Sequence, residues 1–484
     1  INQEVANLEP KEVWQLFEAL NEVPRPSKKE ERIIAYTKAF GENLGLETIV
    51  DEAGNVIIRK PATSGMEDRK TVVFQSHLDM VHQKNADVDF NFDTEGIRSY
   101  IDGEWVTAEG TTLGADNGMG AATAMAVLAS KDIPHGPLEA LFTIDEETGM
   151  TGAMGLKGGV LQGEILLNLD TEEDDEIDIG CAGGIDVTAI GNYKTIDVPN
   201  EFLGYKITVK GLHGGHSGMD IHKGLGNANK IMNRLLFNAS NNFDIGISEI
   251  NGGSLRNAIP RESVACIALT ENANFLADFK MWASTIQSEL KITEPNLSIE
   301  ITETECSTKM MQSADQEKLI YSIYATQNGV YAMSASISDL VETSNNVAKV
   351  LVKDGQIKIG CLTRSSVNSA KHDLANALKS AFTLAGYEVT FSGEYPGWNP
   401  NPNSDILKVL ESQYETIFGA KAKVVACHAG LECGILGQNY PDMDMISYGP
   451  TIRGAHSPDE RVSISSVQKF WKFTLEILKN APMK

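Results

Sequence analysis

The chain has 484 residues, 42% of them hydrophobic and 22% charged, with a formal net charge of −25 at pH 7. That length exceeds what one ordinary core supports, so two domains are expected, and the acidic balance argues against nucleic acid and anionic membrane surfaces as partners. Six cysteines without a C-x-x-C pair fit scattered reduced thiols and a cytoplasmic location, and no stretch reads as a leader or a membrane span.

In chain order, Pro10–Leu20 has helical spacing, and Ser27 with Glu30 reads as a capping box for a helix reaching Leu44. Two strands flank the turn at 51–55, and Val72–Ser76 is an apolar strand that runs into His77 and Asp79. Residues 86–109 are polar with Gly turns and read as a surface excursion. The glycine-rich stretch 111–120 opens a helix at about 121–129. It lacks the G-K-[ST] ending of a phosphate loop and carries one acid, Asp116. Ala140–Ile144 is a buried strand that stops on Asp145, Glu146 and Glu147, and Ile165–Leu169 runs into Asp170.

From about Asp186 the pattern changes. Strands are expected at 202–209, 244–250 and 261–269, with helices at 220–237 and 274–290. A second set follows, with helices at 316–327 and 369–384 and strands at 347–353, 356–363 and 388–392. This gives an inserted α+β domain of two similar halves. The expected bounds are 1–186 and 394–484 for an α/β catalytic domain with a mixed sheet, and 187–393 for the insert. After residue 393 come a helix at 404–418, a strand at 424–428, the strand 445–448 leading to a loop with His456, and a closing amphipathic helix at 467–479.

Apolar strands that end in His, Asp and Glu suit a metal site at the carboxyl edge of an α/β sheet. Carboxylates buried at a strand end cost several kcal/mol unless a cation offsets them. A lone His-x-Asp is structural more often than not; His77, Asp79, Asp116, Glu146, Glu147, Asp170 and His456 in the same context reverse those odds. Two divalent ions need about five to seven ligands, and one bridging Asp, two His and two terminal carboxylates supply them. Of Glu146 and Glu147, one can bind metal while the other takes a proton from water. Asp79, two residues after His77, can orient its imidazole. The residues therefore read as a two-metal hydrolase.

The motifs Ser76-His-Leu-Asp79, Gly114-Ala-Asp-Asn-Gly118, Asp145-Glu-Glu-Thr-Gly149, Asn168-Leu-Asp170, Gly214-Gly-His-Ser-Gly218 and Gly454-Ala-His-Ser-Pro458 together resemble the di-zinc exopeptidase and amidohydrolase family that includes aminoacylase, carnosinase and carboxypeptidase G. The resemblance runs the length of the chain. It implies that Asp116 bridges two ions, with a cis Asp116–Asn117 peptide. His77 and Asp170 would complete one site, and Glu147 and His456 the other. Glu146 would be general base and then general acid, Asp79 would orient His77, and His216 would stabilise the oxyanion. Asn257 and Arg364 would hold the substrate carboxylate. The stretch 427–433 resembles the dipeptidases in particular; there Glu432 could meet a substrate ammonium or could be a buried structural acid, and His428 has no assigned role. His213 is expected at the surface, and the acidic run 172–176 in a solvated loop.

The expected activity is metal-dependent hydrolysis of Xaa-His and related dipeptides with a free amino terminus, through a bridging hydroxide and a Glu base. The alternative is N-acyl amino acid deacylation on the same site. The expected cofactors are two divalent ions, with zinc favoured and manganese or cobalt compatible. The expected partners are a small dipeptide and a second copy of the chain in a homodimer.

Overall fold

The computed structural model describes residues 1–484, which fold as two compact units. The first comprises Ile1–Gly180, Pro400–Ala426 and Leu431–Lys484; the second comprises Cys181–Asn399 with Cys427–Gly430. The second unit thus runs past 187–393 at both ends.

In the first unit the chain lays down β1 (Glu47–Val50), β2 (Val56–Lys60) and β3 (Val72–His77). Next come β4 (Ser99–Asp102), β5 (Trp105–Ala108), β6 (Leu138–Thr143), β7 (Ile165–Asn168) and β8 (Glu176–Cys181). Every residue of β3, β6 and β7 is buried, as apolar runs in a parallel sheet covered on both faces require. Two expectations fail here. The stretch 86–109 is not all loop, since β4 and β5 form a hairpin whose turn at Gly103 takes φ 60°, a conformation glycine adopts without a Cβ clash. Ser27 does not cap a helix either. The helix is Glu31–Asn43, with Glu30 at its N-cap position, because Ser27 and Lys28, the latter at φ 73°, turn the chain ahead of it and the Ser27 hydroxyl donates to Asp79 instead.

The second unit opens with β9 (Gly183–Asn192), followed by β10 (Thr195–Asp197). One βαββαβ group then follows: β11 (Phe202–Lys210), helix Ala228–Asn242, β12 (Ile245–Gly253), β13 (Ser263–Thr270), helix Phe275–Glu289 and β14 (Ser298–Thr304). Its main helix begins at Ala228 rather than at 220. Asn227 caps that start, accepting from the N–H groups of Asn229 and Lys230, while Gly224 at φ 70° ends the short turn before it. After β15 (Lys309–Met311), helix Ser313–Ala325 and β16 (Gly329–Met333) come β17 (Val341–Lys353), β18 (Gln356–Ser365), helix Asn368–Leu384 and β19 (Glu388–Tyr395). The strand order β14-β11-β13-β12-β17-β18-β9-β19 shows that the second group takes its first strand from β9, ahead of the whole first group in sequence. Both groups bury one continuous core, from Ile185 and Val187 through Leu235 and Ile267 to Leu378 and Phe382.

The chain returns to the first unit with β20 (Lys423–Cys427), β21 (Asp444–Ser447), β22 (Ile452–Arg453), β23 (Arg461–Ser463) and helix Ile464–Lys479. The main sheet has the order β1-β2-β6-β3-β7-β21-β8-β20, and a small sheet has the order β22-β23-β5-β4. Strands β6, β3, β7 and β21 are mutually parallel, whereas β2 and β8 join them antiparallel. The sheet is therefore mixed, and its parallel strands deliver their carboxyl ends to one edge. No helix is long and apolar enough to cross a membrane.

Candidate metal centre

His77 closes β3 with its side chain fully buried. Its Nδ1 lies 3.0 Å from the Asp79 carbonyl and 3.2 Å from Asp79 Oδ1, which leaves Nε2 facing the other acids. Asp79 is itself fixed. Its carboxylate accepts from Ser27 Oγ at 2.6 Å and from the N–H groups of Glu146 and Glu147 at 3.0 and 3.2 Å. One buried carboxylate thus sets the imidazole and the backbone of both glutamates. Asp145 turns away instead. At φ 53°, it accepts from the hydroxyls of Thr148 and Thr151 and closes the turn that presents Glu146 and Glu147.

Asp116 lies at the start of helix Ala115–Ala129 with non-helical φ −86° and ψ 101°, and the Asp116–Asn117 peptide is cis. Its two oxygens face opposite ways: Oδ1 is 3.1 Å from His77 Nε2, and Oδ2 is 3.1 Å from His456 Nε2. Glu147 Oε1 lies 3.0 Å from His456 Nε2, while Asp170 Oδ1 and Glu146 Oε2 each lie 3.7 Å from His77 Nε2. Two donors about 2.0–2.1 Å from one zinc ion stand roughly 3–3.5 Å apart, so the 3.0–3.1 Å spacings on either side of Asp116 suit two ions, with Asp170 and Glu146 slightly farther out. Ligand atoms of His77, Glu146 and Asp170, and those of His77, Asp116 and Glu147, fall within 4.8 Å of one another.

The electrostatics agree with a cation-binding cluster. Burial pushes the Glu146 and Asp170 carboxyls well up, helped by neighbouring acids and opposed by His77. Burial acts on Asp116 in the same sense, but hydrogen bonds from His456 and His77 and their charges outweigh it and hold Asp116 well below the usual range. The hydrogen bonds to Asp116 and Glu147 raise His456 to about 11. The raised groups, Glu146, Asp170 and His456, hold protons where divalent cations would neutralise the same charge.

Several supporting residues were not visible in the motifs. Glu460 is buried and clamps the turn before Asp116, accepting from the N–H groups of Leu113, Gly114 and Asp116 at 2.8, 2.9 and 3.0 Å. Arg25 is buried and donates to the carbonyls of Leu78 and Gly114 at 3.0 and 2.8 Å. Asn117 accepts from His77 N–H and donates to the Leu169 carbonyl, tying the ends of β3 and β7 together. The acidic run is not simply solvated: Glu173, Asp174 and Asp175 pair with Arg453, Lys469 and Lys423. Glu172 is half-buried, and burial together with Asp116 raises its carboxyl to about 8. Replacing Glu460 by alanine strands three buried N–H groups, each worth about 1–3 kcal/mol. Glu460→Ala should therefore lower the melting temperature and weaken metal retention together, read by calorimetry and metal analysis.

Glu432 belongs to this unit. Its Oε1 accepts from Gln75 Nε2 and Thr143 Oγ1, both at 2.9 Å, while Oε2 is buried without a hydrogen-bond partner. Burial pushes its carboxyl up to about 7.

His216, Asn257, Arg364 and His428 lie in the second unit and are assembled there. His216 Nδ1 accepts from the N–H groups of Gly218 and Met219, both at 3.0 Å, so Nε2 carries the proton and is a donor. Burial and Arg364 lower the pKa of this histidine, against an opposing effect of Asp220. Asn257 is exposed, and its carbonyl accepts from Ser217 N–H. Arg364 is buried and donates to Ser217 Oγ and, at 3.0 Å, to Tyr395 OH. His428 Nε2 lies 2.7 Å from Ser344 Oγ, and burial and Arg364 push its pKa down to about 3. A Cβ on Gly218 would meet the His428 carbonyl at 2.0 Å, so the His-Ser-Gly turn and the 427–430 segment require a glycine there. His213 Nδ1 meets the buried Glu294 at 2.5 Å with its side chain half exposed.

The comparisons with known proteins agree with one another. Residues 73–480 match peptidase family M20/M25/M40. The cytosol non-specific dipeptidase of Escherichia coli (strain K12) is 44% identical over 483 residues, covering 99% of this chain and all of its own length. The crystal structure of an aminoacylhistidine dipeptidase from Vibrio alginolyticus superposes with a TM-score of 0.96 at 45% identity, over 99% of this chain and 98% of that one. An aminopeptidase PepT structure from Bacillus cereus ATCC 10987, with TM-score 0.58 at 17% identity over 98% of each chain, shares the fold. The chain belongs to peptidase family M20/M25/M40 and is an enzyme, a peptidase.

Proposed function

We propose that this peptidase is a two-metal dipeptidase that cleaves Xaa-His and related dipeptides with a free amino terminus. The observation that carries the reading is Asp116, whose two oxygens face two imidazoles, one also touching Glu147 and the other within reach of Asp170. The printed names of the two full-length relatives, both dipeptidases, point to the substrate class. His77 and Asp170 would hold one ion, Glu147 and His456 the other, and Asp116 both. The mixed imidazole and carboxylate set favours zinc while accommodating manganese or cobalt. When bound, such ions supply Lewis acidity toward a water and a scissile carbonyl.

The chain's own groups would do the rest. Glu146, buried and beyond hydrogen-bond distance of His77, would take a proton from the attacking water and return it to the leaving amine. Asp79 would keep His77 in one orientation. The His216 Nε2–H would donate to the oxyanion, and Arg364 with Asn257 would hold the substrate carboxylate. The unpartnered Oε2 of Glu432 would meet the substrate ammonium. A cytoplasmic homodimer completes the proposal. The name of the Escherichia coli relative supports the compartment, and sedimentation would test the dimer.

A substrate panel tests the reading. Zinc-loaded protein should cleave Ala-His and related dipeptides, lose that activity on chelation, and spare an N-acetyl amino acid. Glu432→Gln should raise KM for the dipeptides with less effect on kcat. Cleavage of the acetylated substrate alone would move the function to deacylation and remove the role given to Glu432.

A further inference from the structure

Directly beneath the metal centre, a row of polar side chains crosses the main sheet. Gln75 of β3 pairs with Asn168 of β7, Asn168 with Ser447 of β21, and Ser447 with Asp178 of β8, all at one register. Directly paired residues place their side chains on one face. It is the face of His77 and Asp170, each two residues further along the chain from Gln75 and Asn168. Every member of the row is buried.

The contacts are continuous. Glu432 Oε1 meets Gln75 Nε2 at 2.9 Å, and Gln75 Oε1 meets Asn168 Nδ2. Asn168 Oδ1 meets Ser447 Oγ at 2.7 Å, Ser447 Oγ meets Thr171 Oγ1 at 2.7 Å, and Thr171 Oγ1 meets Asp178 Oδ2 at 2.7 Å.

The hydrogens can be counted along it. Six side chains make five contacts, and each contact needs one hydrogen. A carboxamide turns its N–H₂ to one neighbour and its oxygen to the other, so Gln75 and Asn168 each supply one contact. Ser447 and Thr171 have one hydroxyl hydrogen each. Four contacts are satisfied and one is not, unless an end carboxyl contributes its own hydrogen. With Ser447 donating to Asn168, Thr171 must donate to Ser447, and then Asp178 must donate to Thr171. Turning both carboxamides over would reverse every bond and require the hydrogen on Glu432 instead.

We infer that this row holds one proton beyond those of its hydroxyls and carboxamides, that it sits on Asp178, and that Asp178 thereby acts as a positioning residue that keeps Glu432 ionised. Two features choose the end. Glu432 is the first residue of helix Glu432–Asn439, where the backbone N–H groups favour an anion, and its Oε1 accepts a second hydrogen bond, from Thr143 Oγ1 at 2.9 Å. Asp178 has Thr171 as its hydrogen-bond partner and the like charge of Glu176 on its own strand. Burial also pushes both end carboxyls up to about 7, which lowers the cost of keeping a proton at one end of the row. The consequence for substrate rests on the proposed role of Glu432. An anion facing a substrate ammonium would be maintained by a carboxyl three strands away on the same face of the sheet, with no cation committed beside it.

Infrared spectroscopy of the metal-loaded protein tests this without substrate. The difference spectrum between wild type and Asp178→Asn, whose carboxamide can still donate to Thr171, should show loss of one protonated-carboxyl C=O band at neutral pH. Identical spectra would overturn the inference. Neutron diffraction from deuterium-exchanged wild-type crystals gives a second reading that needs no variant. A deuteron bonded to Asp178 Oδ2 and pointing at Thr171 Oγ1, with Gln75 nitrogen toward Glu432, is expected. A deuteron on Glu432 with both carboxamides reversed, or none at either end, would overturn it. Neither measurement depends on which peptide is cleaved, so a failed substrate panel leaves the row untouched, and a missing proton leaves the dipeptidase reading untouched.

Discussion

Glu146→Gln is expected to lower kcat by about 10²–10⁴-fold, the range for removing a general base, while metal content stays at the wild-type level. The reason lies in the division between the two neighbouring glutamates. Glu147 is in contact with His456, which also meets Asp116, whereas Glu146 lies on the His77 side, where His77, Asp116 and Asp170 already supply the proposed ligands. Asp79 holds both backbone N–H groups, so the substitution has no route to displace Glu147. Kinetics and metal analysis on the same preparation separate the roles. Loss of metal in step with activity would make Glu146 a ligand rather than a base.

Asp116→Ala is expected to do the opposite: both ions should go, and turnover should fall to background. Each of its oxygens is 3.1 Å from a different imidazole, so removing one side chain opens both positions at once. The three acids left behind, Glu146, Glu147 and Asp170, would face the two histidines without the carboxylate that now lies between those rings. A variant that kept one ion per chain would show that Asp116 serves a single site. The comparison with Glu460→Ala is informative, because Glu460 touches only the backbone of the Asp116 turn. Weaker binding of both ions is expected there, rather than their absence.

Much of this centre was legible because of where its residues fall. His77, Asp145–Glu147 and Asp170 follow apolar strands buried on both faces, and such strands leave polar residues only at their ends. Asp116 was legible because one acid stood among glycines. Ser27, Arg25 and Glu460 were not, since nothing local marks them. Ser27 even reads as a helix cap, and Glu460 acts on a turn more than three hundred residues earlier in the chain. The hairpin of β4 and β5 was hidden by four-residue strands too short for a clear alternation. The start of the helix at Ala228 was hidden by an Asn cap placed after two glycines. The row beneath the metal centre escaped for a different reason. Its residues look unremarkable in four separate strands and acquire meaning only at one register.

The order of the main sheet bears on how the protein is made. Strand β8 reaches β7 only through β21, and β21 is completed at Ser447. A chain emerging from the ribosome therefore carries β3, β6 and β7 with one open parallel edge until Ser447 has been synthesised. The second unit has the same delay, since β9 waits for β18 and β19 at the far end of that unit. Long-range pairings of this kind close slowly and leave strand edges exposed meanwhile. Nascent chains ending anywhere between β8 and β21 would present an unpaired, apolar edge, which makes them natural clients for chaperones and for proteolytic clearance.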